Sequence, residues 1–244
     1  MTASYDHVSS RAGRRSSRAV ADQAGQGTAK SASGLRLLIL ASWAFAGLGL
    51  ELILVNVIEP AFGWSIETYT PTQKIIHWLI TCVVWLVVGL GVIELTKRFR
   101  GPDLWAPGRA LTWVNWAGAG VCVVVSFISH WLTWNGVKPV VEVEKLGALL
   151  FVFQYIYYVL ETFLMSLIVV LSQLAIETWT RRANVPWGGL ILGLSWGVMH
   201  VLSKGSLAVG VFAVLAGFLY GAAYLVMGRD YRKALPLMYV MFVL

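Results

Sequence analysis

Charge is scarce in this chain. Only 13% of its 244 residues are Asp, Glu, Lys or Arg, against 58% hydrophobic, and the mean hydropathy is +0.71. A soluble domain of this length needs roughly a quarter or more of its surface charged, so the composition excludes one and reads as a polytopic membrane protein. Cysteine is almost absent as well. Cys82 and Cys122 lie inside apolar runs, far from any CxxC spacing, which argues against a disulfide framework or a zinc knuckle and for buried packing. No asparagine stands in an N-x-Ser/Thr sequon, and no Gly-rich phosphate loop follows a plausible strand. The first 34 residues lack the apolar core of a signal peptide. No internal repeat is evident, which argues against an inverted-repeat secondary transporter.

Long apolar runs are what the chain has instead. Stretches near 35–58, 75–96, 111–134, 146–176, 187–203 and 206–227 are each apolar enough to be read as spans. The final run, 234–244, has 11 residues, about half of what a helix needs to cross roughly 30 Å of hydrocarbon. The expected fold is all-α, a polytopic transmembrane helix bundle of six to seven spans. Residues 1–34 read as a disordered basic cytoplasmic tail and 35–244 as the bundle.

Basic residues set the topology, because cytoplasmic loops collect Lys and Arg. With the N-terminus inside, 15 of the 19 basic residues fall on the cytoplasmic side, and Lys74, Lys138, Lys145 and Lys204 fall outside among Glu59, Glu67, Glu142 and Glu144. The net charge of +7 is then a topology signal rather than a nucleic-acid footprint. The expected location is the cell (plasma) membrane, multi-pass, N-terminus cytoplasmic. The expected partners are the lipid bilayer and other membrane proteins, with no nucleic acid.

Candidate chemistry lies between 146 and 244. Glu161 stands in the middle of an apolar run, where an ionisable group costs roughly 2.5 to 3.5 kcal/mol on insertion scales and therefore faces protein. Helical spacing puts Gln154, Tyr157, Tyr158 and Glu161 along one side, and a tyrosine hydroxyl one turn away can hydrogen-bond a carboxylate. Further on, Trp196 and His200 share a helix, as do Gly189, Gly193 and Gly197 at four-residue intervals. Ala213, Gly217 and Gly221 form a matching stripe on the next span. Small-xxx-small stripes let helix backbones approach closely, so these two spans should pack tightly and fix His200.

The stretch from Ser195 through Trp196 and His200 to Leu207, followed by the span ending Gly217-Phe218-Leu219-Tyr220-Gly221, resembles the CAAX-protease and bacteriocin-processing (CPBP) family of intramembrane proteases. The resemblance covers about 146–244. It implies a helix with paired glutamates followed by an arginine, a helix with an aromatic-xxx-His motif, and a later helix carrying a second histidine. The glutamate and first histidine would be the catalytic pair activating water, mapping onto Glu161 and His200 with Trp196 as the aromatic. The chain departs from that pattern. Thr162 stands at the second glutamate, Met165 or Ser166 at the arginine, and the terminal segment around Pro236 has no histidine. Losing such a group is worth hundreds-fold or more in rate. The expectation is a CPBP-like core that lacks standard proteolytic activity and serves as a membrane-assembly subunit or scaffold.

Two other readings stay open. One is an active endopeptidase using Glu161 and His200. The other is a haem- or metal-binding subunit, because His77, His130 and His200 fall in the same membrane half as Glu51 and imidazole suits haem iron, copper or zinc. An ion pathway would ordinarily show more intramembrane charge, since only Glu51 and Glu161 are read as buried acids and no buried base is expected to face them.

Overall fold

The computed structural model describes residues 33–99 and 101–244, apart from the side chains of residues 202–204. The tail read in residues 1–34 falls almost wholly outside that range. The fold is all-α, with no strand among the described residues. Seven helices follow one another: α1 Ser33–Phe62, α2 Pro71–Arg98, α3 Trp113–Trp134, α4 Lys138–Thr180, α5, α6 Leu207–Val226 and α7 Tyr231–Val243. Helix α5 runs Trp187–Leu192, widens into a π turn over Gly193–Gly197 and ends as Val198–Lys204. Five of them, α1 to α4 and α6, are long and apolar enough to cross a membrane. The run expected as a fifth span is a shorter apolar helix, Trp187–Val201, and α7 has 13 residues.

Local chemistry explains the helix ends. Thr70 caps α2 in a reciprocal box with Gln73, and Pro71 occupies the first position, where a missing N–H costs nothing. Gly63, at φ 75°, closes the tight turn that ends α1. Asp230 caps α7 by accepting the backbone N–H of Arg232.

Helix α4 is the axis of the bundle. Of its most apolar stretch 72% is buried inside the protein, against 17% for α3. Leu164, Leu167, Val169 and Leu171 are fully buried, because α4 packs against α2, α5 and α7 at once. It is not one straight rod. Gly147, at φ 76° and ψ 161°, interrupts it, and Tyr158 donates to Glu142, sixteen residues earlier. At 1.5 Å per residue a continuous helix would put those residues about 24 Å apart, so the chain reverses at Gly147 and lays 138–146 back along the main helix.

Helices α5 and α6 pack through their glycines as the sequence predicts. A Cβ on Gly189 would come within 2.7 Å of the Gly217 carbonyl, and one on Gly217 within 2.6 Å of the Gly193 nitrogen. Gly188 meets α4 even more closely, at 1.9 Å from the Val169 carbonyl. Here the helices touch backbone to backbone, which only glycine permits.

Candidate functional site

The two residues singled out by the sequence meet on a third. Trp196 lies in the π turn of α5, and its indole N–H donates to Glu161 Oε1 on α4 at 3.1 Å. His200, one turn further, donates Nδ1–H to the Trp196 carbonyl at 2.9 Å, and its ring sits 4.2 Å from the indole centroid. A carbonyl can only accept, so Nδ1 carries the hydrogen and the neutral ring would present its lone pair at Nε2. A π turn shifts the register of the residues after it and is frequent at functional sites; here Trp196 lies within it with its indole on Glu161, and His200 follows one turn on, held by the Trp196 carbonyl.

The wall opposite is not what the family pattern implies. Phe242 of α7 packs 6.2 Å from the Trp196 ring and 5.0 Å from Tyr158, edge-on to both. Beside it lies Lys138, a residue the charge alternation puts in an outer loop. The structure buries it at 4% exposure. Its Nζ donates to the Phe242 carbonyl at 2.6 Å and sits over the Phe242 and Tyr158 rings at 4.5 and 4.7 Å. A cation at a helix C-terminus satisfies an orphan carbonyl and the negative end of the dipole. Lys138 is also close enough to feel the charges of Glu142 and Glu161. The expectation that no buried base faces the intramembrane acids is therefore overturned, because the reversal at Gly147 carries a loop charge into the bundle.

Glu142 moves inward by the same reversal, to 1% exposure. It accepts from Tyr158 at 2.6 Å and from the Gln154 amide at 3.4 Å. Lys138 and Glu142 are four residues apart, so they share a helix face, and that face is buried. The polar stripe of α4 is real but divided, since Tyr157 turns to a different helix.

Tyr157 donates to both oxygens of Glu51 on α1 at 2.9 Å. Glu51 Oε1 in turn faces His77 Nε2 at 3.2 Å, and His77 Nδ1 faces Glu59 Oε1 at 2.9 Å. Tyr69 donates to Glu59. His77 and Glu59 are each 3% exposed, although Glu59 too reads from sequence as an outer-loop charge. Each ring nitrogen of His77 meets a carboxylate oxygen, so the ring bridges the two acids in ion-pair geometry.

The three histidines do not converge. His77 spends both ring nitrogens on carboxylates, His200 is held on Trp196, and His130 lies near Lys138, its Nδ1 without a hydrogen-bond partner among the described residues. No group of three His, Cys, Asp or Glu suited to a metal ion occurs among the described residues. The haem or metal reading through His77, His130 and His200 has no support from this geometry.

No known family, curated protein or solved structure matches the chain.

Proposed function

We propose that this multi-pass membrane protein has a CPBP-like helical core without standard proteolytic activity, and that it works as a subunit or scaffold of a membrane assembly. The observation that carries the reading is Phe242. Where the family pattern calls for a second polar group facing the glutamate–histidine pair, α7 offers an aromatic ring packed on Trp196 and Tyr158, and a phenyl ring can neither position a water nor stabilise an oxyanion. Glu161, Trp196 and His200 then act as a polar lock between α4 and α5. The proposed setting is the cell membrane with the N-terminus cytoplasmic, supported by the positive-inside count.

Mass spectrometry of what co-purifies with the tagged chain from its native membrane, in a mild detergent, tests this directly. Stoichiometric membrane proteins, with no cleavage of reporter peptides by the purified chain, support the proposal. A lone chain that cleaves peptides overturns it. The second reading, an active endopeptidase, draws on the convergence of Glu161 and His200 on Trp196, and it requires cleavage to vanish in Glu161→Gln and His200→Ala alike.

A further inference from the structure

At the opposite end of the bundle, a cleft of about 460 Å³ opens between the start of α3, the α4–α5 turn and the end of α6. Its polar rim is Arg109, Asn115, Asn184 and Arg229, and its floor includes Leu225 and Val226. Nothing in the Glu161 centre uses it.

Several independent features fix the two arginines side by side. The Arg109 N–H donates to the Gly228 carbonyl at 2.9 Å. Gly108 next to it has no room for a side chain, because a Cβ would lie 2.5 Å from that same carbonyl and 2.6 Å from the Asp230 nitrogen. The loop before α3 is thus docked by its backbone on the α6–α7 turn. Asn115 fastens the first turn of α3 to the same place by donating to the Val226 carbonyl at 2.8 Å. Arg229 adopts φ 64°, a left-handed conformation that costs a non-glycine residue about 1 kcal/mol or more and gathers at functional positions. It is held there by paired bonds to Glu177 at 2.7 and 2.8 Å and by the Ala183 carbonyl. Glu177 offsets the charge of Arg229, so the cleft keeps the charge of Arg109 as a surplus of one. Arg109 is exposed and has no ion pair among the described residues.

Depth and surroundings say what such a surplus meets. Trp105, Trp113 and Trp116 are all exposed around this end, and exposed tryptophans in a membrane protein gather at headgroup level. From their level downward Val114, Val121, Val125 and Ile128 form an exposed apolar stripe along α3. A cleft with one net positive charge, a guanidinium fork, an apolar floor and an apolar track matches a phosphodiester headgroup with its acyl chains. We propose that the Arg109–Arg229 cleft binds the phosphate of an anionic phospholipid, whose acyl chains lie along α3.

The test is thermal unfolding of the full chain in a neutral detergent, with phosphatidylglycerol, phosphatidylcholine or sodium phosphate added. Phosphatidylglycerol should raise the midpoint and phosphatidylcholine should not. Arg109→Gln, which leaves the backbone bond to Gly228 intact, should weaken phosphatidylglycerol binding about fivefold, the worth of one charge near a lipid surface. Arg109→Lys should restore part of it, keeping the charge without the fork. Arg98→Gln, at an exposed arginine paired with Glu94 at 3.2 Å, is the control for nonspecific charge and should leave the shift unchanged. Equal shifts in wild type and Arg109→Gln, or an equal loss in Arg98→Gln, would overturn the proposal. So would sodium phosphate matching phosphatidylglycerol, which would make the ligand a soluble anion.

Discussion

The α5–α6 hairpin and the α1–α2 pair solve the same problem in opposite ways. Both must hold helices together where lipid competes for every apolar surface, so burying more hydrocarbon gains little. The α5–α6 hairpin does it by omission: glycines remove side chains until backbones touch at Gly189, Gly193 and Gly217. The α1–α2 pair does it by addition, placing His77 between Glu51 and Glu59 where a missing partner would leave a buried charge. One interface therefore fails when an atom is added, the other when a charge is removed. The Glu161–Trp196–His200 unit borrows from both, since glycine packing sets the position of α5 and a half-buried carboxylate fastens it.

The largest effect expected is on the charged side. His77→Ala removes the ring that bridges Glu51 and Glu59, and removing one partner of a buried ion pair costs about 3–5 kcal/mol. It should appear as a steep fall in the unfolding midpoint, with His77→Gln recovering part of the loss by keeping an N–H donor. Next, Gly217→Val should cost about 1–3 kcal/mol or more by overpacking against Gly193, read as loss of a monodisperse peak in detergent. Gly120→Ala sharpens that contrast, because a Cβ there meets nothing within 4 Å; it should leave stability unchanged or raise it by up to about 1 kcal/mol.

A smaller effect belongs to the α6–α7 turn. Asp230 is fully buried, and Arg232, aided by the Gly108 N–H and Lys233, holds its carboxyl well below the usual range against the opposing pull of burial. Because the folded value lies below the unfolded one, its contribution is fully present above about pH 4 and is lost as pH falls through the lowered value. Asp230→Asn should keep the cap but remove the ion pairs to Arg232 and Lys233 and flatten the acid limb of a stability–pH profile, at a cost of about 1 kcal/mol near neutrality. A smaller loss still is expected from Arg98→Ala, whose exposed pair with Glu94 is worth about 0.3–0.5 kcal/mol.

The same contrast explains what sequence alone could and could not reveal. The glycine stripes were legible because small-residue periodicity encodes backbone approach directly, and the apolar runs gave the all-α class. Glu161, Trp196 and His200 were legible as residues out of place in such runs, but not the π turn that carries Trp196, whose indole meets Glu161 and whose carbonyl holds the His200 ring. Lys138, Glu142 and Glu59 were misplaced for a physical reason. A charge next to a helix end reads as a loop charge, and only the left-handed Gly147, which folds 138–146 back on the bundle, and the turn after Glu59 turn them inward. The tyrosines were read as serving Glu161, whereas Tyr157 and Tyr158 donate to Glu51 and Glu142, acids that approach from other segments.

The proposed role of Glu161 is to fasten α4 to α5 through Trp196 and not to activate water for proteolysis. Peptide cleavage and thermal unfolding of wild type and Glu161→Gln, measured side by side in the same proteoliposomes, test it most directly. Neither protein should cleave, and the variant should lose about 1–2 kcal/mol of stability, the worth of a hydrogen bond to a carboxylate inside a membrane bundle. Cleavage by wild type that disappears in Glu161→Gln, with the unfolding midpoint unmoved, would contradict it.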